Sequence, residues 1–248
     1  MTATEPRPLA TGAEALAAVD VAALLDTTLF DQELDDYIET FETFDAGAPF
    51  VGANYDGVVA NPFGLSIAER FDGQSVSDGT NQSGGGTHDV ISGSPDGPLS
   101  LALGAATQNL VIGDTTPVGG TGHAISGLSS PGWPNFQAIG EGAATFLFDV
   151  GQPDVGFTTF GALDGGDLRA DFYDRSGGLL GSVTIDEIRD GGFGFATSDG
   201  SASIAGMVIT NTEAEGISYD NVWYHTVPTP GSLAVLACGG AAAIRRRR

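Results

Sequence analysis

The chain has 248 residues with 38 Gly, 12 Pro and one Cys; Gly and Pro together far exceed the usual share of about 12%, which argues against a mainly helical protein, and the lone Cys238 excludes an intrachain disulfide and a thiolate zinc site. Thirty-two acids face nine bases, all Arg, for a net charge of −23; four of those Arg are the last four residues, so the rest of the chain sets five Arg against 32 acids, or −27. A body this acidic repels phosphate, which excludes a nucleic-acid partner, and suits a salty exterior where its self-repulsion is screened.

Residues 1–37 read as an N-terminal helical or flexible segment. Thr11 and Glu14 match a capping box opening a short helix through about Leu25, with Leu16, Val19, Ala23 and Leu24 as its apolar stripe. Glu14 and Asp20 interrupt the apolar run, and a charge there is costly in a membrane, so the segment is not a normal export signal. Two readings stay open: a short helix on or beside the main domain, or a true start upstream that carries the export signal.

Residues 38–225 read as one all-β domain, a jelly-roll-like β-sandwich. The clearest signal is a hairpin: residues 168–174 alternate Leu168, Ala170 and Phe172 with Arg169, Asp171 and Tyr173, turn through Arg175-Ser-Gly-Gly178, and return as 179–185. Further strands are expected at 38–44, 65–71, 88–92, 98–103, 109–112, 144–150, 155–161, 192–197, 203–210 and 217–224, with Asp-Gly pairs marking turns. Two Gly-rich stretches, 75–87 and 114–136, read as long loops, where ligands bind on sandwiches. Trp133 and Phe136 in the second would either stack on a sugar ring or plug the end of the sandwich. His88, His123 and His225 are scattered, no two on one element, and read as surface or loop residues.

Residues 226–248 form a three-part tail. Val227, Pro228, Thr229 and Pro230 give a stiff, extended link. The uncharged apolar run 231–244 follows, and Arg245, Arg246, Arg247 and Arg248 end the chain. As a helix, the run would span about 21 Å against a hydrocarbon core of about 30 Å, with the Arg cluster kept on the cytoplasmic side. This order resembles the PEP-CTERM sorting signal, in which a Pro motif, a transmembrane stretch and an Arg-rich end are read by exosortase; Thr229 stands where that family usually has Glu. The resemblance implies export, transient membrane anchoring through a C-terminal hydrophobic sorting helix, and cleavage near the Pro motif. The body is similar to exported β-sandwich proteins bearing such tails, through Phe41-Glu-Thr-Phe-Asp-Ala-Gly-Ala-Pro-Phe50, Ile67-Ala-Glu-Arg-Phe-Asp-Gly-Gln74, Asp89-Val-Ile-Ser-Gly93 and Tyr219-Asp-Asn-Val222. That group implies a surface or exopolysaccharide-matrix role and no known activity.

No GxSxG elbow occurs, and a glycosidase's carboxylate pair cannot be read from spacing along the chain, so no catalytic residue is assigned and the expectation is a non-enzymatic protein. Calcium fits the wealth of Asp and Asn oxygens. By analogy with jelly-roll modules whose Ca²⁺ joins first and last strands, Glu42 and Asp220 are the candidate ligands. The expected function is an exported surface or matrix protein whose sandwich is non-catalytic, a binding or structural module with carbohydrate as its expected associate. A secreted polysaccharide hydrolase and a purely structural adhesive protein are the alternatives.

Overall fold

The computed structural model describes residues 21–24, 36–49, 51–81, 86–163 and 165–225. These form strands and two single turns of 3₁₀ helix. The first nine strands are β1 (Val21–Leu24), β2 (Asp36–Glu39), β3 (Ala53–Tyr55), β4 (Val59–Ala60), β5 (Leu65–Ala68), β6 (Arg70–Phe71), β7 (Ser75–Thr80), β8 (Thr87–Ser92) and β9 (Leu101–Ala102). Then come β10 (Leu110–Asp114), β11 (His123–Leu128), β12 (Ile139–Gly142), β13 (Ala144–Gln152) and β14 (Asp154–Phe160). The last five are β15 (Leu168–Tyr173), β16 (Leu179–Ile185), β17 (Gly191–Thr197), β18 (Ile204–Asn211) and β19 (Ser218–His225). Among the described residues no helix is long and apolar enough to cross a membrane.

The strands pair antiparallel in two main sheets. The larger runs β1-β17-β14-β19-β11-β10-β3, with β2 also on β19 and β12 on β11; the smaller runs β16-β15-β18-β13-β5-β4. Period-two alternation puts Phe157, Phe195 and Tyr219 of the larger sheet and Phe146, Phe172 and Met207 of the smaller into one shared core, all fully buried. Rings meet across the gap: Phe172 and Phe195 have centroids 5.0 Å apart, and Phe146 meets Tyr219 edge-on at 6.2 Å. From β13 to β19 successive strands cross between the sheets, except for the hairpin of β15 and β16. Two ribbons, β6-β9 and β7-β8, complete the fold, and Phe71 of β6 packs with Leu99 and Tyr173 against the outside of the smaller sheet.

Several expectations are corrected. The helix foreseen through Leu25 is absent over Val21–Leu24, which pair with Gly194–Thr197 of β17; the open edge of β17 offers hydrogen-bond partners that outweigh a local capping signal. Residues 1–20 and 25 lie outside the described residues, as do the Pro motif, the apolar run and the Arg cluster of the tail. The stretch 75–87 contains β7, registered residue for residue against β8. The stretch 114–136 contains β11, a central strand between β10 and β19. The strand expected at 38–44 ends at Glu39, because Phe41 adopts a left-handed conformation (φ 59°) and turns the chain.

Candidate functional site

The core positions of β19 are Tyr219, Val222 and Tyr224, so Ser218, Asp220 and Trp223 face outward from the larger sheet. Between the pairs Gly156–Trp223 and Thr158–Asp220, β14 advances two residues while β19 advances three. The extra residue is a bulge, and Asn221 takes the left-handed conformation it requires (φ 47°), which Asn tolerates better than branched residues. The bulge brings Asp220 and Asn221 to line the same two depressions. Asn221 Nδ2 donates to Thr158 Oγ1 (3.1 Å) and Asp220 Oδ2 (3.1 Å), and its backbone N–H donates to Asp220 Oδ1 (2.6 Å).

Three contiguous depressions follow this face. The first is a cleft of about 320 Å³ walled by Val51, Val111, Val118, Phe136, Phe160 and Leu163. Its polar residues are Thr115, Ser126 and Ser218, the last two with hydroxyls hydrogen-bonded at 2.8 Å, and the carboxylates Asp114, Asp190 and Glu215. A shallower groove of about 260 Å³ continues past Thr158, Phe160, Gly192, Asp220 and Asn221. A cavity of about 540 Å³ lies beyond, between Glu42, Asp114, Thr121, His123 and Asp220.

The loop joining β10 and β11 separates the cleft from the cavity. It is closed on itself: the Thr115 hydroxyl and amide both donate to the Gly122 carbonyl, at 2.6 and 2.8 Å. Gly120 is obligatory in this loop, since a Cβ there would meet Thr115 Oγ1 at 2.0 Å. Val118 of this loop lines the cleft, and Thr121 lines the cavity.

Glu42 and Asp220, foreseen as a pair, line that one cavity. The Phe41 turn delivers Glu42 to it, where Glu42 Oε1 accepts the His123 amide (2.8 Å) and Oε2 lies 4.0 Å from His123 Nε2. Asp220 accepts from Thr121 Oγ1 (3.2 Å) as well as from Asn221. Burial raises the Asp220 carboxyl above its ordinary range, against hydrogen bonds from Asn221 and Thr121, with Glu42 and Glu39 raising it further. Asp114 is held lower by the hydroxyl and amide of Thr116. Among the described residues no three His, Cys, Asp or Glu side chains are grouped to hold a metal, so a cation here would draw on hydroxyls, carbonyls and water beside Glu42 and Asp220.

The two loop aromatics part company. Phe136 is 62% exposed and lines the cleft. Trp133 is half-buried, packs on the cluster of Val111, Leu128 and Ala138, and donates Nε1–H to the Val51 carbonyl (3.2 Å). It supports the cleft wall from behind. The sequence reading missed Phe160, Ser126, Ser218, Asn221 and the rim acids. Phe160 sat within an expected strand and carried no separate signal; Asn221 depends on a bulge that period-two patterning does not encode. No protein-family model, curated protein or solved structure matches the chain.

Proposed function

We propose that the chain is an exported cell-surface or extracellular-matrix protein whose jelly-roll-like sandwich binds glycan without catalysis, and that residues 226–248 are its sorting signal, read at the membrane by an exosortase-like enzyme. The observation that carries the binding reading is the run of depressions on the outer face of the larger sheet. A pyranose ring has an apolar face of C–H groups and an edge of hydroxyls. Phe136 and Phe160 answer the first; Ser126, Ser218, Thr158 and Asn221 answer the second. The acidic body and the Pro-apolar-Arg order of the tail support the exported reading.

The test is glycan-array binding by the full chain. The reading expects retention on one class of polysaccharide, lost in Phe160→Ala. A blank array with self-association would replace it with a structural or adhesive role, and turnover of a bound polysaccharide would make the protein a hydrolase. For the tail, mass spectrometry of the C-terminus from membrane and medium should find chains ending near Pro230; an intact Arg248 on a cytosolic protein would contradict export.

A calcium role has one specific support, the shared cavity of Glu42 and Asp220. Titration with Ca²⁺ should then give heat and a raised melting temperature, both lost in Asp220→Ala; neither effect in the parent protein would remove calcium from the account.

A further inference from the structure

We infer that the cleft selects a cationic amino sugar, a glycan whose hexosamine units carry free ammonium groups. This rests on the glycan reading above and narrows it to one chemical class. The cleft combines three features: apolar walls that include Phe136 and Phe160, a hydroxyl floor from Ser126 and Ser218, and a rim bearing Asp114, Asp190 and Glu215. None of the residues lining it is basic. Arg189, next in sequence to Asp190, is turned away, with Nη1 donating to the Ile188 carbonyl and its guanidinium over Gly165.

The rim carboxylates come from three separate elements. Asp114 ends β10, Asp190 precedes β17, and Glu215 lies in the turn before β19. Asp190 is fixed in place because Oδ1 accepts the Ala162 amide at 2.8 Å. A ring seated on the apolar walls would therefore present its substituents to negative charge on several sides.

Charge decides among glycan classes. A uronate or sulfated sugar would bring like charge against three carboxylates on a chain of net charge −23. An N-acetylated sugar gains the apolar and hydroxyl contacts but no ion pair. A free amine gains both, and two or three exposed ion pairs together amount to roughly a tenfold gain in affinity.

The experiment is isothermal titration of the full chain with three hexamers: glucosamine, N-acetylglucosamine and galacturonate. The expected result is a glucosamine hexamer bound about tenfold more tightly than its N-acetylated counterpart, a preference that shrinks in about 0.5 M salt, and no binding of galacturonate. Asp190→Asn keeps an oxygen for the Ala162 amide, and Glu215→Gln alters an exposed side chain. The double variant should hold the parent melting temperature while losing the preference for the glucosamine hexamer over the N-acetylated one. Equal or tighter binding of the N-acetylated hexamer would overturn the inference and leave glycan binding intact. A preference that survives the double variant would also overturn it, because attraction to the acidic body as a whole would then be the cause. Failure of all three hexamers, with a blank array, would sink both readings.

Discussion

The hydroxyls of Ser126 and Ser218 lie 2.8 Å apart on the adjacent strands β11 and β19, and they are the polar floor of a cleft with apolar walls. Ser126 is buried, so removing one partner strands the other's hydrogen-bonding group, at a cost of about 1–3 kcal/mol, whereas removing both can be close to neutral. Ser218→Ala should therefore lower stability more than the Ser126→Ala, Ser218→Ala double variant does. Urea unfolding of the four members of this cycle checks it; additive losses would show that the pair is not coupled.

Phe136 and Trp133 should separate binding from stability. Phe136 is mostly exposed, so Phe136→Ala should shift the unfolding midpoint little while weakening glycan binding. Trp133→Ala removes packing on Val111, Leu128 and Ala138 together with the hydrogen bond to Val51, and should cost about 2–4 kcal/mol. Thermal melts beside binding curves for both variants make the comparison. A large stability loss in Phe136→Ala would mean that its ring belongs to the core.

Asn61 ties both sheets together at one end of the sandwich. Its Nδ2 donates to Glu39 Oε2 (2.6 Å) and to the Tyr224 hydroxyl (2.7 Å), and its Oδ1 accepts the amides of Phe63 and Leu65. Glu39 and Tyr224 are buried. Asn61→Ala should cost about 2–4 kcal/mol by leaving buried polar groups unpaired, and Asn61→Asp should also destabilise by setting a second carboxylate against Glu39. A stability change under about 0.5 kcal/mol in Asn61→Ala would show that water replaces the amide.

Stability should fall from pH 5 to pH 8. Burial lifts Asp89 to about 7, against the Ala143 amide and with Glu69 and Asp78 raising it further; burial also lifts Glu141 to about 7, against the Asn81 amide and with Glu213 and Glu215 adding to the rise. In the unfolded chain these groups titrate near 4. Between those values the folded chain holds protons that the unfolded chain has released, so unfolding free energy declines as pH rises and levels off above about 8. His88, lowered by burial, acts the other way as unfolded histidine charges below about 6.5. Asp114, Asp174 and Asp199 are lowered and withdraw their support only in stronger acid, which places the optimum near pH 5. Melting temperatures across this range should show that slope, and Asp89→Asn should flatten it. A rise in stability toward pH 8 would contradict the burial of both acids.

The sandwich was legible where alternation was strong. The segment Leu168–Tyr173 pairs with Leu179–Ile185 as its pattern implies, because one face of each strand meets a single core. His123–Leu128 was hidden because its outer face sets only Ala124, Ser126 and Leu128 against Ile125 of the core, a weak alternation that also holds Gly127, and Leu128 is covered by the Trp133 cluster. Ser75–Thr80 was hidden for the opposite reason: it is polar and mostly exposed, held by pairing with β8 rather than by burial. Glu42 and Asp220 could be paired from their places near the first and last strands of the domain, whereas Phe160 and the rim acids meet only through cross-sheet connections that sequence spacing does not record.

Hydrogen–deuterium exchange of the full chain, with and without a saturating glycan, addresses the outer face of the larger sheet most directly. Slowed exchange is expected at β11, at the end of β14 around Phe160, and in the segment holding Phe136 and Ile139. Protection confined to a different aromatic pair, half-buried Tyr37 stacked on exposed Phe63 at 4.2 Å, or no protection by any glycan, would overturn the binding reading.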